Sequence, residues 1–231
     1  MIRSGSTLQF QIVAELVERH GLGQRIEYVP EGEFKTIFEK YDAQPGCKVF
    51  KAHICIDEIQ GLFACGKAKG VYSFRDIRDV AVSAIKKFQM PFDELIEKKW
   101  LDQAVADGLA WMALPNVIAS RYETMAGDLA GEARKLAEHL GLSLPAAEID
   151  EIAGLYTLEK QRDRVQQVAV AHQAGGNSFD PRTLLHHNHI NSAESGAWKT
   201  ALSPAQIQIL EDRFGTWLQK MSYPLSTELM A

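Results

Sequence analysis

Disulfide chemistry, membrane insertion and general nucleic-acid binding are all poorly served by this sequence. Its three cysteines, Cys47, Cys55 and Cys65, are too few and too odd in number for a disulfide framework, and they lack the paired spacing of a metal site. They are expected as small structural residues in a reducing cytoplasm. No apolar run of 18 residues and no secretory leader is present, which argues against a membrane partner. Basic residues number 25 against 30 acidic ones, and the formal charge of -5 disfavours nucleic acid or anionic lipid as the main partner. Any anion site must therefore be local. Also missing is the Gly-Lys-Ser/Thr ending of a nucleoside-triphosphate loop, which disfavours a nucleotide kinase or ATPase. What the chain does have is 46% hydrophobic residues, enough for one sizeable core, so a single domain over 1–231 is expected.

The apolar residues Phe10, Ile12, Val13, Leu16 and Val17 recur at helical spacing over 9–20, and Gly21 and Gly23 follow as stop signals. Residues 48–54 read as a strand after Pro45-Gly46, which puts Lys51 and His53 on one face by alternation. A second strand over 69–74 feeds a helix over 76–88. One long helix is predicted over 92–114, ending at Pro115, then a strand over 116–122 and a helix over 132–139 closed by Gly141. Pro145 opens a long, polar helix running through Gln161 toward His172; 175–195 is irregular, and Ser203 starts a last helix over 204–221. Strands alternating with helices predict an α/β fold, a central parallel sheet covered on both faces.

Three motifs carry chemistry. Arg3-Ser4-Gly5-Ser6-Thr7 is a glycine turn opening onto a helix N-terminus, where main-chain N–H groups and the helix dipole suit a phosphate or sulfate. A plain helix cap is the competing reading. His53, two residues from Lys51, could take a proton from a hydroxyl while the ammonium stabilises a transferred anion; a satisfied core histidine is the alternative. Arg75 and Ser83, eight residues apart, could meet one phosphate if the chain bends at Asp76-Ile77. Arg78 and Asp79 between them read as a solvated helix face. The cluster His186-His187-Asn188-His189 has no carboxylate or cysteine at ligand spacing, so no metal is expected there.

Taken in order, these motifs resemble the sulfotransferases that use 3′-phosphoadenosine 5′-phosphosulfate (PAPS). The family's K-S-G-T-T or R-S-G-S/T turn, which holds the 5′-phosphosulfate, matches Arg3, Ser4, Gly5, Ser6 and Thr7. Its K-T-H motif in the cytosolic branch is similar to Lys51-Ala52-His53, and its 3′-phosphate Arg and Ser, with D-V-A-V-S, match Arg75 and Ser83. Tyr122 in Arg121-Tyr122-Glu123-Thr124-Met125 is similar to the tyrosine beside adenine, and Gly196-Ala197-Trp198-Lys199 is similar to G-D-W-K. Two departures stand out. Leu8 replaces the aromatic residue that stacks on adenine, and Asn191, Ser192 and Ala193 replace a basic R-K-G, for which His189 could substitute.

The resemblance covers residues 3 to about 223 and implies sulfuryl transfer from PAPS to the hydroxyl of a small-molecule or carbohydrate acceptor, without a metal. His53 would be the base, and Lys51 and Arg3 would balance the charge of the transferred group. The P-loop nucleotide-binding type of fold is implied with it. A catalytically inactive nucleotide-binding or scaffold protein is the alternative. Only Met1 and Ile2 precede the turn, so its entering strand is expected to be nearly absent and the natural start to lie upstream.

Overall fold

A computed structural model of the chain describes residues 1–190 and 194–229. The phosphate-type turn leads into α1 (Ser6–Arg19), which runs to β1 (Gly23–Tyr28), α2 (Phe34–Asp42), β2 (Cys47–Lys51) and α3 (Asp57–Ala64). Next come β3 (Gly70–Phe74), α4 (Ile77–Phe88), α5 (Phe92–Glu97), α6 (Trp100–Ala113), β4 (Val117–Arg121) and α7 (Tyr122–Gly127). The chain continues through α8 (Leu129–Leu140), α9 (Ala146–Gly154), α10 (Leu158–Gln173), α11 (Trp198–Ala201) and α12 (Pro204–Lys220). The fold is α/β. No described helix is long and apolar enough to cross a membrane.

Among the described residues the four strands pair in parallel, as the alternation of elements predicts, but as two pairs, β1 with β2 and β3 with β4, in place of one continuous sheet, and an isolated antiparallel bridge joins Phe179 and His186. Both faces are covered. On β3, Val71 packs into the core built on α1, α8 and α9, while its neighbour Tyr72 packs into the core of α4, α6 and α12. Helix α1 contacts β1, β2 and β3, and so bridges the two pairs. Before the turn no strand forms. Met1 donates its main-chain nitrogen to the Ser73 carbonyl at 2.6 Å, and the Ser4 hydroxyl donates to the same carbonyl at 2.8 Å.

Several boundaries differ from expectation. The single helix predicted over 92–114 is two, because Lys99 adopts a left-handed φ of 53° and turns the chain. The long helix from Pro145 is also two: Tyr156 turns into the core beside α1, and the Thr157 side chain caps α10. Strand β2 stops at Lys51, so His53 lies in the bend beyond it. Arg78 and Asp79, expected on a solvated face, are 1% and 2% exposed, because both have buried partners on distant segments.

Candidate active site

The turn before α1 is a left-handed bend built on two residues, Arg3 with φ 61° and Gly5 with φ 81°. Gly5 is the N-cap of α1, and no side chain caps the first turn, so its main-chain donors are left for another acceptor. A Cβ on Gly5 would lie 2.4 Å from Met125 Cε and 2.9 Å from Tyr122 Cδ2. Only glycine fits there. Ser4 is fully buried and its hydroxyl lies 2.9 Å from Ser73 Oγ, so that side chain locks the turn onto β3.

The turn opens on a cavity of about 780 Å³. Arg3, Gly5, Ser6 and Thr7 line it together with Lys51, His53, Arg75, Ser83 and Tyr122, so most of the residues singled out in the sequence meet in one place. Gly196 and Trp198 do not line it, although Ala197 does. Trp198 is instead a core residue lying under the Arg78 guanidinium, 3.8 Å from its ring centre. Asn191, Ser192 and Ala193 lie outside the described residues.

Charge is concentrated here. Arg3, Lys51, Arg75, Lys86 and Lys87 line the cavity against two carboxylates, Glu27 and Asp79, in a chain whose net charge is -5. Lys51 reaches from the end of β2 to donate to Thr7 Oγ1 at 2.6 Å, joining the strand to the turn. Burial, and then the nearby Arg3, lower its pKa to about 8. His53, in the bend after β2, is pushed well below the usual histidine range by burial first and by Lys51 second, so it is neutral near pH 7. Its ring centre is 5.6 Å from that of Tyr28, and its carbonyl accepts from Trp111 Nε1 at 3.0 Å.

Arg75 and Ser83 lie on one cavity, but the hydroxyl of Ser83 is held by a different cation: Arg3 Nε donates to it at 2.9 Å. Arg75 spends Nη2 on the Glu194 carbonyl at 2.5 Å, lies 3.5 Å from Asp79, and stacks over Tyr122 at 4.3 Å, while its buried Nε has no partner among the described residues. Asp79 in turn accepts from the main-chain nitrogens of Gly196 at 2.7 Å and Trp198 at 3.0 Å, which ties the Gly196-Ala197-Trp198 segment to α4. His189 also lines the cavity, and burial followed by Lys51 and Arg3 pushes its pKa down to about 2.

Sequence reasoning missed Tyr28 and Lys87 on this cavity. Tyr28 ends the mainly polar β1, whose pattern gives little strand signal, and Lys87 sits in the last turn of a helix where a lysine is unremarkable. Leu8, Leu129, Tyr156, Leu158 and Leu184 give the same cavity an apolar lining.

The sulfotransferase domain family matches residues 3–222. The fold is similar to that of mouse sulfotransferase SULT7A1 complexed with PAP, at 18% identity, a TM-score of 0.70, and coverage of 94% of this chain and 81% of that one. Retinol dehydratase is similar too, at 18% identity in both of two complexes: with androsterone and inactive cofactor PAP (TM-score 0.61, 94% of this chain and 78% of that one), and with retinol and PAP (TM-score 0.65, 94% and 79%). At such identity the solved structures speak for the fold, and the domain match over nearly the whole chain speaks for the family: this chain belongs to the sulfotransferases.

Proposed function

We propose that the chain, working as one domain over 1–231, transfers the sulfuryl group of PAPS to an acceptor hydroxyl. The carrying observation is that a neutral, half-buried histidine, a lysine and a helix-opening glycine turn share one cavity, with Lys51 bonded to Thr7 of that turn. The first turn of α1 and Arg3 receive the 5′-phosphosulfate, and the apolar lining of Leu8, Leu129, Tyr156 and Leu158 takes the adenine in place of a single stacking ring. PAP in the solved neighbours supports this donor, and androsterone and retinol in the retinol dehydratase complexes support a small-molecule acceptor.

In the proposed step His53 accepts the proton of the acceptor hydroxyl. The acceptor oxygen forms a bond to sulfur as the bond between sulfur and the 5′-phosphate oxygen breaks, and the electron pair leaves on the phosphate. Lys51 and Arg3 face the charge that develops there, and cations fixed in advance are the strongest form of such stabilisation. Three free cysteines and no membrane-spanning helix among the described residues are compatible with work in a reducing cytoplasm.

The test is incubation with PAPS labelled in its sulfuryl group and a panel of phenols, alcohols and sugars. Label appearing on an acceptor, and lost when His53 is replaced, supports the assignment. Tight PAP binding with no transfer to any acceptor would favour a nucleotide-binding scaffold instead.

A further inference from the structure

Resting on that reading, we propose that Lys87 is a specificity-determining residue for the nucleotide, a cation for the second phosphate beside Ser83. Lys87 lies one helical turn beyond Ser83 on α4, and the two residues share a face and the cavity. Ser83 is the point where Arg3 Nε already arrives, at 2.9 Å, and Arg3 is close enough to Lys87 to depress its pKa after burial. Arg3 thus meets the Ser83 hydroxyl, and Lys87 lines the same cavity one turn along the same helix face. Among the described residues neither forms a salt bridge with a carboxylate; Lys87 donates to Asn188 Oδ1, and Arg3 Nη2 donates to the His189 carbonyl at 3.1 Å.

An ammonium carries three donors, so the Asn188 contact leaves Lys87 with capacity for an anion. Arg75 is less available. It is held by Glu194, Asp79 and Tyr122. Of its buried donors, Arg75 keeps only Nε unpartnered among the described residues, so Lys87, with no carboxylate partner among them, adds the further cation that a second phosphate near Ser83 can meet. The groups that interact with Lys87 include Arg3, Asn188, His186 and His189, all neutral or cationic.

The experiment is calorimetry of the full chain with adenosine 3′,5′-bisphosphate and with adenosine 5′-monophosphate, for wild type, Lys87→Gln and Lys87→Arg. Lys87→Gln should weaken the bisphosphate about tenfold while leaving the monophosphate within about twofold, and Lys87→Arg should recover most of the difference. Equal losses for both nucleotides, or no loss for either, would overturn the assignment. A wild-type chain that binds neither nucleotide would remove the PAPS reading itself, and Lys87 with it. Melting curves separate these results from misfolding, and Lys87, half-exposed, can be changed without opening the core.

Discussion

Lys51 Nζ sits 2.6 Å from Thr7 Oγ1, an ammonium resting on a neutral hydroxyl where a cation would ordinarily find an anion. Burial and Arg3 bring its pKa to about 8, against 10.5 for a free lysine. Between those values the unfolded chain holds the proton and the folded one does not, so the stability of the unliganded protein rises with pH across that window. A phosphate or sulfate at the turn reverses the shift. Binding of PAP at about pH 8.5 should therefore take up roughly three quarters of a proton, and Lys51→Met should abolish the uptake. Titrations in two buffers of different ionisation enthalpy measure it directly; no difference between the buffers would mean that the nucleotide does not approach Lys51.

His53 gives a second prediction, on turnover. His53→Ala should leave PAP binding within about threefold and lower transfer by roughly 10²–10⁴-fold, the usual worth of a positioned base. Loss of binding and transfer together would return His53 to a packing role. A linked effect concerns stability. His53, His186 and His189 all have pKa values below 6.5, so under acid conditions the unfolded state binds more protons, and stability falls as pH drops below about 6.5. His53→Gln should flatten part of that slope in urea titrations repeated at several pH values.

How far the sequence foretold the site follows from how local each signal is. The Arg3 to Thr7 turn and α1 were legible because glycine and helical periodicity lie within a few residues of each other. Capping by Ser203 was legible for the same reason; its hydroxyl accepts from Gln206 N and the Gln206 side chain returns the bond. The break at Lys99 was hidden because a lysine in the left-handed region carries no glycine or proline mark. Strand β1, reading Gly-Gln-Arg-Ile-Glu-Tyr, has little alternation to betray it. Nothing local marks Arg78 and Asp79 as buried, because their partners, Glu211, Gly196 and Trp198, lie over a hundred residues further along the chain.

Gly5 supplies a third prediction. Gly5→Ala places a methyl 2.4 Å from Met125 and 2.9 Å from Tyr122 and forces φ 81° on a residue with a side chain. The backbone term alone costs about 1–2 kcal/mol, and displacing Tyr122 disturbs the ring on which Arg75 stacks. The variant should melt lower and bind PAP at least tenfold more weakly, roughly the size of one such term. Wild-type affinity in Gly5→Ala would mean that the turn does not hold the phosphate.

The last prediction concerns Arg78, which never touches the cavity yet fixes the helix that does. It is 1% exposed; Nε and Nη2 donate to the two oxygens of Asp76 at 3.0 and 2.7 Å, and Nη1 donates to Glu211 at 2.5 Å. Nη2 also donates to the Pro224 carbonyl at 2.9 Å, and the guanidinium lies over the Trp198 ring. Asp76 is the N-cap of α4, so this network sets the start of the helix that carries Ser83 and Lys87. Arg78→Met keeps much of the volume but leaves two buried carboxylates without their cation, a change worth about 3–5 kcal/mol in comparable buried pairs. Arg78→Lys should recover little, since three donors on one point charge cannot serve Asp76, Glu211 and a carbonyl in a planar fork. Urea denaturation should register that loss, and PAP affinity should fall with it although no cavity residue has changed. A cost below about 1 kcal/mol would place the network in the class of replaceable ion pairs, and unchanged affinity would mean that α4 holds its place without it.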